Sequence, residues 1–342
     1  MQKILLPFLF CFAQTLYGQK PEYIHIEPAN IKIDKSIFSE VEVADTRFDT
    51  VYMGFVQKGA LNRKAPIKLS QSMPAELTTS VLHLIADANK ENGTILINIR
   101  NFFLSELTAG LSESGTFVFK AGCYLKQDNR YRLMFSVHKT TTVRSGWDVT
   151  KKLLNTANEQ FGTLVQRAAS FDTSDVDKTN SYSFYDIQNI DETEKKLIPV
   201  YNVDLPQKGL YASYEDFKNN VPTQTGFIEE LNKKTNKPSF FQLKNDNTKG
   251  KELSRKSYYA ICNGSQLYIS TEYGLYPVTK KSFDFYFIGK ARETANTATV
   301  AMASLMFGIL GGMLSSIPDK ATFEFRIDHS TGKFLPIKKI SD

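Results

Sequence analysis

The sequence predicts an α+β protein of two domains, each an antiparallel sheet with helices, plus one apolar helix rich in small residues near the C-terminus. Three observations carry that prediction: short runs in which apolar and polar residues alternate, two stretches with apolar residues at helical spacing, and an unpatterned polar stretch between the halves. A length of 342 residues suits two modest domains. With 42% hydrophobic residues, 25 Phe and 16 Tyr, the chain has ample material for cores and is unlike a disordered composition. Its net charge of +6 is spread without a Lys/Arg block, so the clustered footprint of a nucleic-acid binder is missing and nucleic acid is excluded as a partner.

Residues 1–19 read as a secretory signal peptide: Lys3 supplies the positive start, residues 4–12 an apolar run, and Gly18 a small residue before the cut. The run is too short to span a bilayer, and Pro7 disfavours a helix interior. Cys11 follows bulky Phe10 where a lipoprotein processing site wants a small residue, so it belongs to the apolar run. The expected location is therefore periplasm, outer membrane or exterior. Export is oxidising, yet only Cys123 and Cys262 remain after cleavage. Each lies in a strand-like run of a different domain, where a buried free thiol is the ordinary state.

The first domain is expected over 20–169. From 94 to 103, Ile95, Ile97 and Ile99 share one face; from 116 to 126, Phe117, Phe119, Ala121, Cys123 and Leu125 do the same. After a turn at 127–130, Tyr131, Leu133, Phe135 and Val137 alternate with Arg132, Ser136 and His138 to complete a hairpin. Between 74 and 92, Leu77, Val81, Leu82, Ile85 and Ala88 recur at helical spacing, with Pro74 in the first turn and Gly93 just past the end. Val149, Leu153, Ala157, Phe161, Leu164, Val165 and Ala168 repeat the pattern behind Asp148, a candidate N-cap.

Val41-Glu42-Val43-Ala44-Asp45-Thr46-Arg47, followed by the helix at 77–88 and the strand at 95–100, resembles the small envelope domain of auxiliary lipoproteins of ABC transporters over about 40–169. The resemblance implies a periplasmic adaptor. On the residues alone, Asp45 and Arg47 form a local turn or ion pair.

Residues 170–196 are polar with little periodicity and read as a linker; 197–342 form an aromatic-rich second domain. Residues 232–251 read as a long loop or a disordered insert. Ser213 with Asp216 three residues on forms a capping box for a short helix ending before Pro222. Asn263-Gly264 is the signature of a two-residue hairpin. Phe283, Phe285 and Phe287 alternate in one strand and Phe323, Phe325 and Ile327 in another, with a turn at Ser330-Thr331-Gly332 before a last strand. The stretch from Gly209 to Pro222, Tyr259 to Gly264, Leu267-Tyr268-Ile269 and Ile327 to Gly332 are similar to uncharacterised secreted proteins of Bacteroidota, a family that implies no reaction or ligand.

Residues 295–317 carry no charge, and Ser304, Gly308 and Gly312, four apart, form a small-residue strip that lets helices approach closely. The segment is read as a buried helix, a membrane-contacting or spanning one, or a pore or oligomer element; the strongly apolar part, 300–314, is short for a full crossing.

His25, His83, His138 and His329 show no metal-ligand spacing, and neither a phosphate loop, a dinucleotide fingerprint nor a nucleophile elbow is present. No catalytic residue, metal ligand or cofactor is assigned. The acidic pairs Asp191-Glu192 and Glu229-Glu230 read as solvated, His83 as a core or boundary residue, and Trp147 and Tyr258-Tyr259 as packing, with stacking on glycans as the functional alternative. The expectation is an exported, non-enzymatic envelope protein, an adaptor, assembly or ligand-binding module with protein partners or self-association and membrane contact through 295–317. The alternatives are a secreted hydrolase or glycan-processing enzyme with a loop-assembled site, and a membrane oligomer or pore component.

Overall fold

The computed structural model describes residues 20–27, 31–58, 63–109, 112–145, 149–233, 237–292 and 320–341. The expectations for 1–19 and for 295–317, with Ser304, Gly308 and Gly312, lie outside the described residues, as do those for Trp147 and Asp148. In chain order the first half contains β1 (Glu22–Ile24), β2 (Lys35–Ser36), β3 (Glu40–Asp45), β4 (Gly54–Lys58), β5 (Arg63–Leu69), α1 (Met73–Leu84), β6 (Asn89–Lys90), β7 (Thr94–Ala109), β8 (Ser112–Gln127), β9 (Arg130–Ser145) and α2 (Val149–Ala169).

The alternating runs become three antiparallel strands of 16 residues each, β7, β8 and β9. Asp128 and Asn129, both with positive φ, make the tight β8–β9 turn, a conformation these short polar residues tolerate. The sheet is mixed rather than antiparallel throughout, because β1 runs parallel to β5 and both β3 and β4 run parallel to β7. Its inner face, with Ile97, Phe102, Phe117 and Phe119, packs against Leu77 and Val81 of α1 and Leu153, Phe161 and Val165 of α2. Leu77 is fully buried, so Leu77→Ala would remove about 2–5 kcal/mol.

Two bulges change which residues share a face. One, at Arg100, lets Ile99 and Phe102 both join the inner core while Arg100 sits on the outer face; the other, between Leu133 and Phe135, sends Tyr131 and Leu133 outward and Phe135 inward. Strict alternation had put all four expected β9 residues on one face. α1 stops at Leu84 instead of reaching 92, because Asn89–Lys90 pairs with β2 and the Lys90 ammonium donates to the Ile85 and Ala86 carbonyls.

Residues 170–196 are not a linker. They form β10 (Ser181–Tyr182), which pairs with β9, then α3 (Phe184–Gln188) and α4 (Ile190–Lys195). Tyr182, Ile187 and Ile190 pack on Leu96, Tyr124 and Tyr131, covering the outer face of the sheet. The segment looked unpatterned because few of its residues face that surface, and its helices are too short to display a period.

The second half contains β11 (Gly209–Tyr211), α5 (Tyr214–Lys218), β12 (Phe227–Leu231), β13 (Pro238–Leu243), β14 (Lys249–Glu252), β15 (Ala260–Cys262), β16 (Leu267–Thr271), β17 (Gly274–Lys281), β18 (Asp284–Arg292), β19 (Lys320–Ile327) and β20 (Phe334–Ser341). Seven of these strands form one antiparallel sheet in the order β11, β15, β16, β17, β18, β19, β20. Tyr201, Phe217, Phe285, Phe287 and Phe325 fill its core. The expected loop at 232–251 is instead part of a separate three-stranded sheet, β12–β13–β14, held through Phe227 and Phe240. The capping box of α5 is present with both reciprocal bonds. The β15–β16 turn is centred one residue later than expected: the Asn263 N–H donates to the Gln266 carbonyl, leaving Gly264-Ser265 as its two central residues. Cys123 and Cys262 are free and buried in different cores, and burial pushes both thiols up from their ordinary range. No helix among the described residues is long and apolar enough to cross a membrane.

Candidate functional site

The turn between β19 and β20 organises two neighbouring features. Asp328 accepts from Ser330 and Thr331, and the Gly332 N–H donates to the Asp328 carbonyl at 2.7 Å. Tyr214 donates its hydroxyl to the His329 carbonyl at 2.6 Å, and Tyr259 donates to the Gly332 carbonyl at 2.7 Å. Gly332 has φ of +73°, and a Cβ there would stand 2.2 Å from Tyr214 Cγ. Only glycine lets the tyrosine ring close over this turn.

On one side of the turn lies a cleft of about 530 Å³. Its aromatic floor is continuous: Tyr214 to Tyr259 at 5.4 Å between centroids, Tyr259 to Phe334 at 5.7 Å, Phe334 to Phe287 at 5.1 Å and Phe287 to Phe325 at 4.9 Å. Alternating aromatics on β18 and β19 and the Tyr258-Tyr259 pair supply much of this surface. Lys256, Lys290 and Lys333 stand at the cleft, with Glu272 the acidic residue among its lining. No carboxylate among the described residues forms an ion pair with these three ammonium groups. Such a surface suits a ligand with an acidic group beside a flat or apolar body.

On the other side, His329 and Ser330 reach the first sheet. His329, 3% exposed, places Nε2 2.8 Å from Glu194 Oε2, and Lys120 donates to Ser330 Oγ at 2.8 Å. Arg100 donates to both Glu194 oxygens at 2.5 Å and to Asp191 at 2.6 Å. Lys195, buried beside them, pairs with Asp284 at 2.8 Å. Burial works to raise the carboxyls of Asp191 and Glu194, but Arg100 and His329, with Lys120 acting on Asp191, outweigh it and hold both at about 2. Burial, and then the nearby Arg100, pushes Lys120 down.

Asp191, Glu194 and His329 bring three ligand atoms within 4.8 Å of one another, the only group of this kind among the described residues. The guanidinium of Arg100 already bridges both carboxylates, so a metal ion would have to displace a cation held by three short hydrogen bonds. The cluster is an ionic joint between the two halves, in which Arg100 Nε alone of the guanidinium nitrogens has no hydrogen-bond partner among the described residues.

Sequence reasoning missed this joint. Asp191 had been read as solvated, and Arg100, Lys120, Glu194 and His329 had no assigned role. Charges interrupting the strands at Arg100 and Lys120 were the available signal, but their partners follow tens of residues later. Asp45 and Arg47 do form the expected local ion pair, with two bonds of 2.8 Å, and Arg47 also holds the Thr50 and Tyr52 carbonyls. His83 is exposed rather than at the core. Glu229 accepts from Asn263, and Glu230 pairs with Lys249.

Residues 209–341 match the model of a family of unknown function, DUF6563. A crystal structure of a Xanthomonas campestris protein of the DUF330 family shares 16% identity with this chain, with a TM-score of 0.29, covering 44% of this chain and 94% of that one. The crystal structure of an uncharacterised protein gives 10% identity and a TM-score of 0.27, covering 44% of this chain and 100% of that one. No curated protein matches the chain.

Proposed function

We propose that the protein is an exported cell-envelope protein of the adaptor or ligand-binding class, with the aromatic cleft as its recognition element. The observation behind this reading is the cleft itself: a continuous floor of stacked and edge-to-face aromatic rings beside Lys256, Lys290 and Lys333, cations that the described residues leave without a carboxylate partner. An aromatic ring or sugar face packs on the tyrosines and phenylalanines while an anionic group meets the lysines. Export is supported by Lys3, the apolar run 4–12 and Gly18. Self-association or membrane contact through 295–317 belongs to the same proposal.

The test uses anilinonaphthalene sulfonate, which joins a planar body to an anion, in competition with uronic-acid oligosaccharides. Saturable binding that falls about tenfold or more in Lys256→Glu/Lys333→Glu supports the cleft, since losing a charge-assisted contact costs about 1.5–3 kcal/mol. These exposed substitutions should change stability by no more than about 0.5 kcal/mol. Binding unchanged by the double substitution would overturn the assignment.

A further inference from the structure

Far from the cleft in sequence, the parallel register of β1 on β5 aligns Tyr23 with Lys68 and Ile24 with Leu69. The next residues on the two strands are His25 and Ser70. Ser70 Oγ lies 3.3 Å from His25 Nε2, and His25 Nδ1 lies 3.1 Å from Glu76 Oε1. An ionised carboxylate only accepts, so Nδ1 carries the proton toward Glu76 and the Nε2 lone pair faces the Ser70 hydroxyl. We propose that Ser70, His25 and Glu76 form a nucleophile–base–orienter relay for acyl transfer, hydrolysing carboxylic esters.

Three features separate this constellation from a chance surface contact. Glu76 is only 6% exposed while His25 is 57% exposed, so the carboxylate is buried and the imidazole stands at the solvent side, as a base serving an external substrate requires. Glu76 Oε1 also accepts the Ile26 N–H at 3.0 Å, and Ser80 donates to the Ile26 carbonyl at 2.7 Å, so α1 clamps the backbone next to His25. Glu76 Oε2 has no hydrogen-bond partner among the described residues, which leaves His25 as the group positioned to compensate the buried charge. An imidazolium formed during proton transfer would be stabilised there.

Ser70 also stands just past the carboxyl end of β5, in a parallel strand pair and three residues before α1 begins at Met73, where the helix dipole favours developing negative charge. In the reaction Ser70 Oγ attacks the ester carbonyl while His25 Nε2 takes the hydroxyl proton. The carbon–alkoxy bond then breaks, the alcohol leaves with the proton from His25, and the acyl group remains on Ser70. Water attacks this acyl-serine, gives its proton to His25, and releases the carboxylic acid as Ser70 recovers its hydroxyl proton. Because Ser70 and His25 are exposed, a bulky ester can reach the pair. This inference is independent of the cleft reading and departs from the non-enzymatic expectation.

The test treats the whole chain with a fluorophosphonate, locates the adduct by peptide mass spectrometry, and follows p-nitrophenyl acetate hydrolysis. A Ser70 adduct is expected, with labelling and hydrolysis falling at least about 100-fold in His25→Ala and in Ser70→Ala. Glu76→Gln should cut the rate similarly, with partial rescue by Glu76→Asp, an effect a purely structural carboxylate would not produce in equally folded variants. If the Glu76 variants fail to fold, exposed His25 decides the question. Absence of a Ser70 adduct in the folded chain, or labelling and hydrolysis indifferent to His25→Ala, would overturn the proposal.

Discussion

The joint around Arg100 and the cleft around Tyr259 both combine charge with aromatic packing and share one turn, yet they treat charge in opposite ways. In the joint every cation has an acceptor: Arg100 on two carboxylates, Lys195 on Asp284, Lys120 on Ser330. In the cleft three lysines stand beside aromatic faces without a carboxylate among the described residues. A network whose charges are paired internally holds structure; cations without a carboxylate over an apolar floor are what the proposed recognition would use. The shared turn adds a mechanical link, since His329 and Ser330 enter the joint while Gly332 and Lys333 line the cleft.

The largest effect should come from removing the cation at the centre of the joint. Arg100→Met leaves Glu194 and Asp191 facing each other without the guanidinium that holds them; Arg100 is buried but the carboxylates are 32% and 53% exposed, so the cost lies at the low end for a broken buried pair, about 3 kcal/mol. Chemical denaturation should show the loss, and a stability change under about 1 kcal/mol would mean that the joint is solvated and marginal. Glu194→Gln in the Arg100→Met background should recover part of it, because it removes the orphaned charge.

Next in size is Gly332→Ala, which touches both regions together. The residue's φ of +73° and the 2.2 Å approach to Tyr214 make any side chain strained, at about 1–3 kcal/mol. Displacing Tyr214 also disturbs its bond to the His329 carbonyl, so ligand binding in the cleft and stability of the joint should fall together. If binding changes while the joint stays intact, the two regions are independent and the shared turn is only a neighbour to both.

The regular parts of this architecture were legible because their patterns are local. Ile95, Ile97 and Ile99 announced β7, the Leu77 and Val81 stripe announced α1, and Ser213 with Asp216 announced the α5 cap. What was not legible depended on departures from period or on distant partners. The bulge at Arg100 cannot be read from alternation, since it becomes visible only when Asn101 pairs with Lys120. The helices at 184–195 hid within a polar composition, because Ile187 and Ile190 have their packing surface on strands β7 to β9. For the same reason His25, Ser70 and Glu76 form no motif: a parallel strand pair and a helix start, not sequence spacing, bring them together.

Acid should produce the smallest and most selective of these effects, because it acts on the carboxylates of the joint. Folding lowers the Glu194 carboxyl from 4.5 to about 2 and that of Asp191 from 3.8 to about 2, so both stay ionised beside Arg100. A depressed carboxyl contributes stability that is fully present above its unfolded value and disappears as pH falls through its folded value. The joint should therefore weaken progressively from about pH 4.5 down to pH 2, and Glu194 should contribute more than Asp191, which is 53% exposed and screened by water. Denaturation midpoints measured at neutral pH and at steps below pH 4.5 should fall in the native chain and fall less steeply in Glu194→Gln, which has already lost the titrating group. Parallel slopes for the two proteins would show that Glu194 gains nothing from Arg100 and His329, and the contrast between a satisfied joint and an unsatisfied cleft would fail.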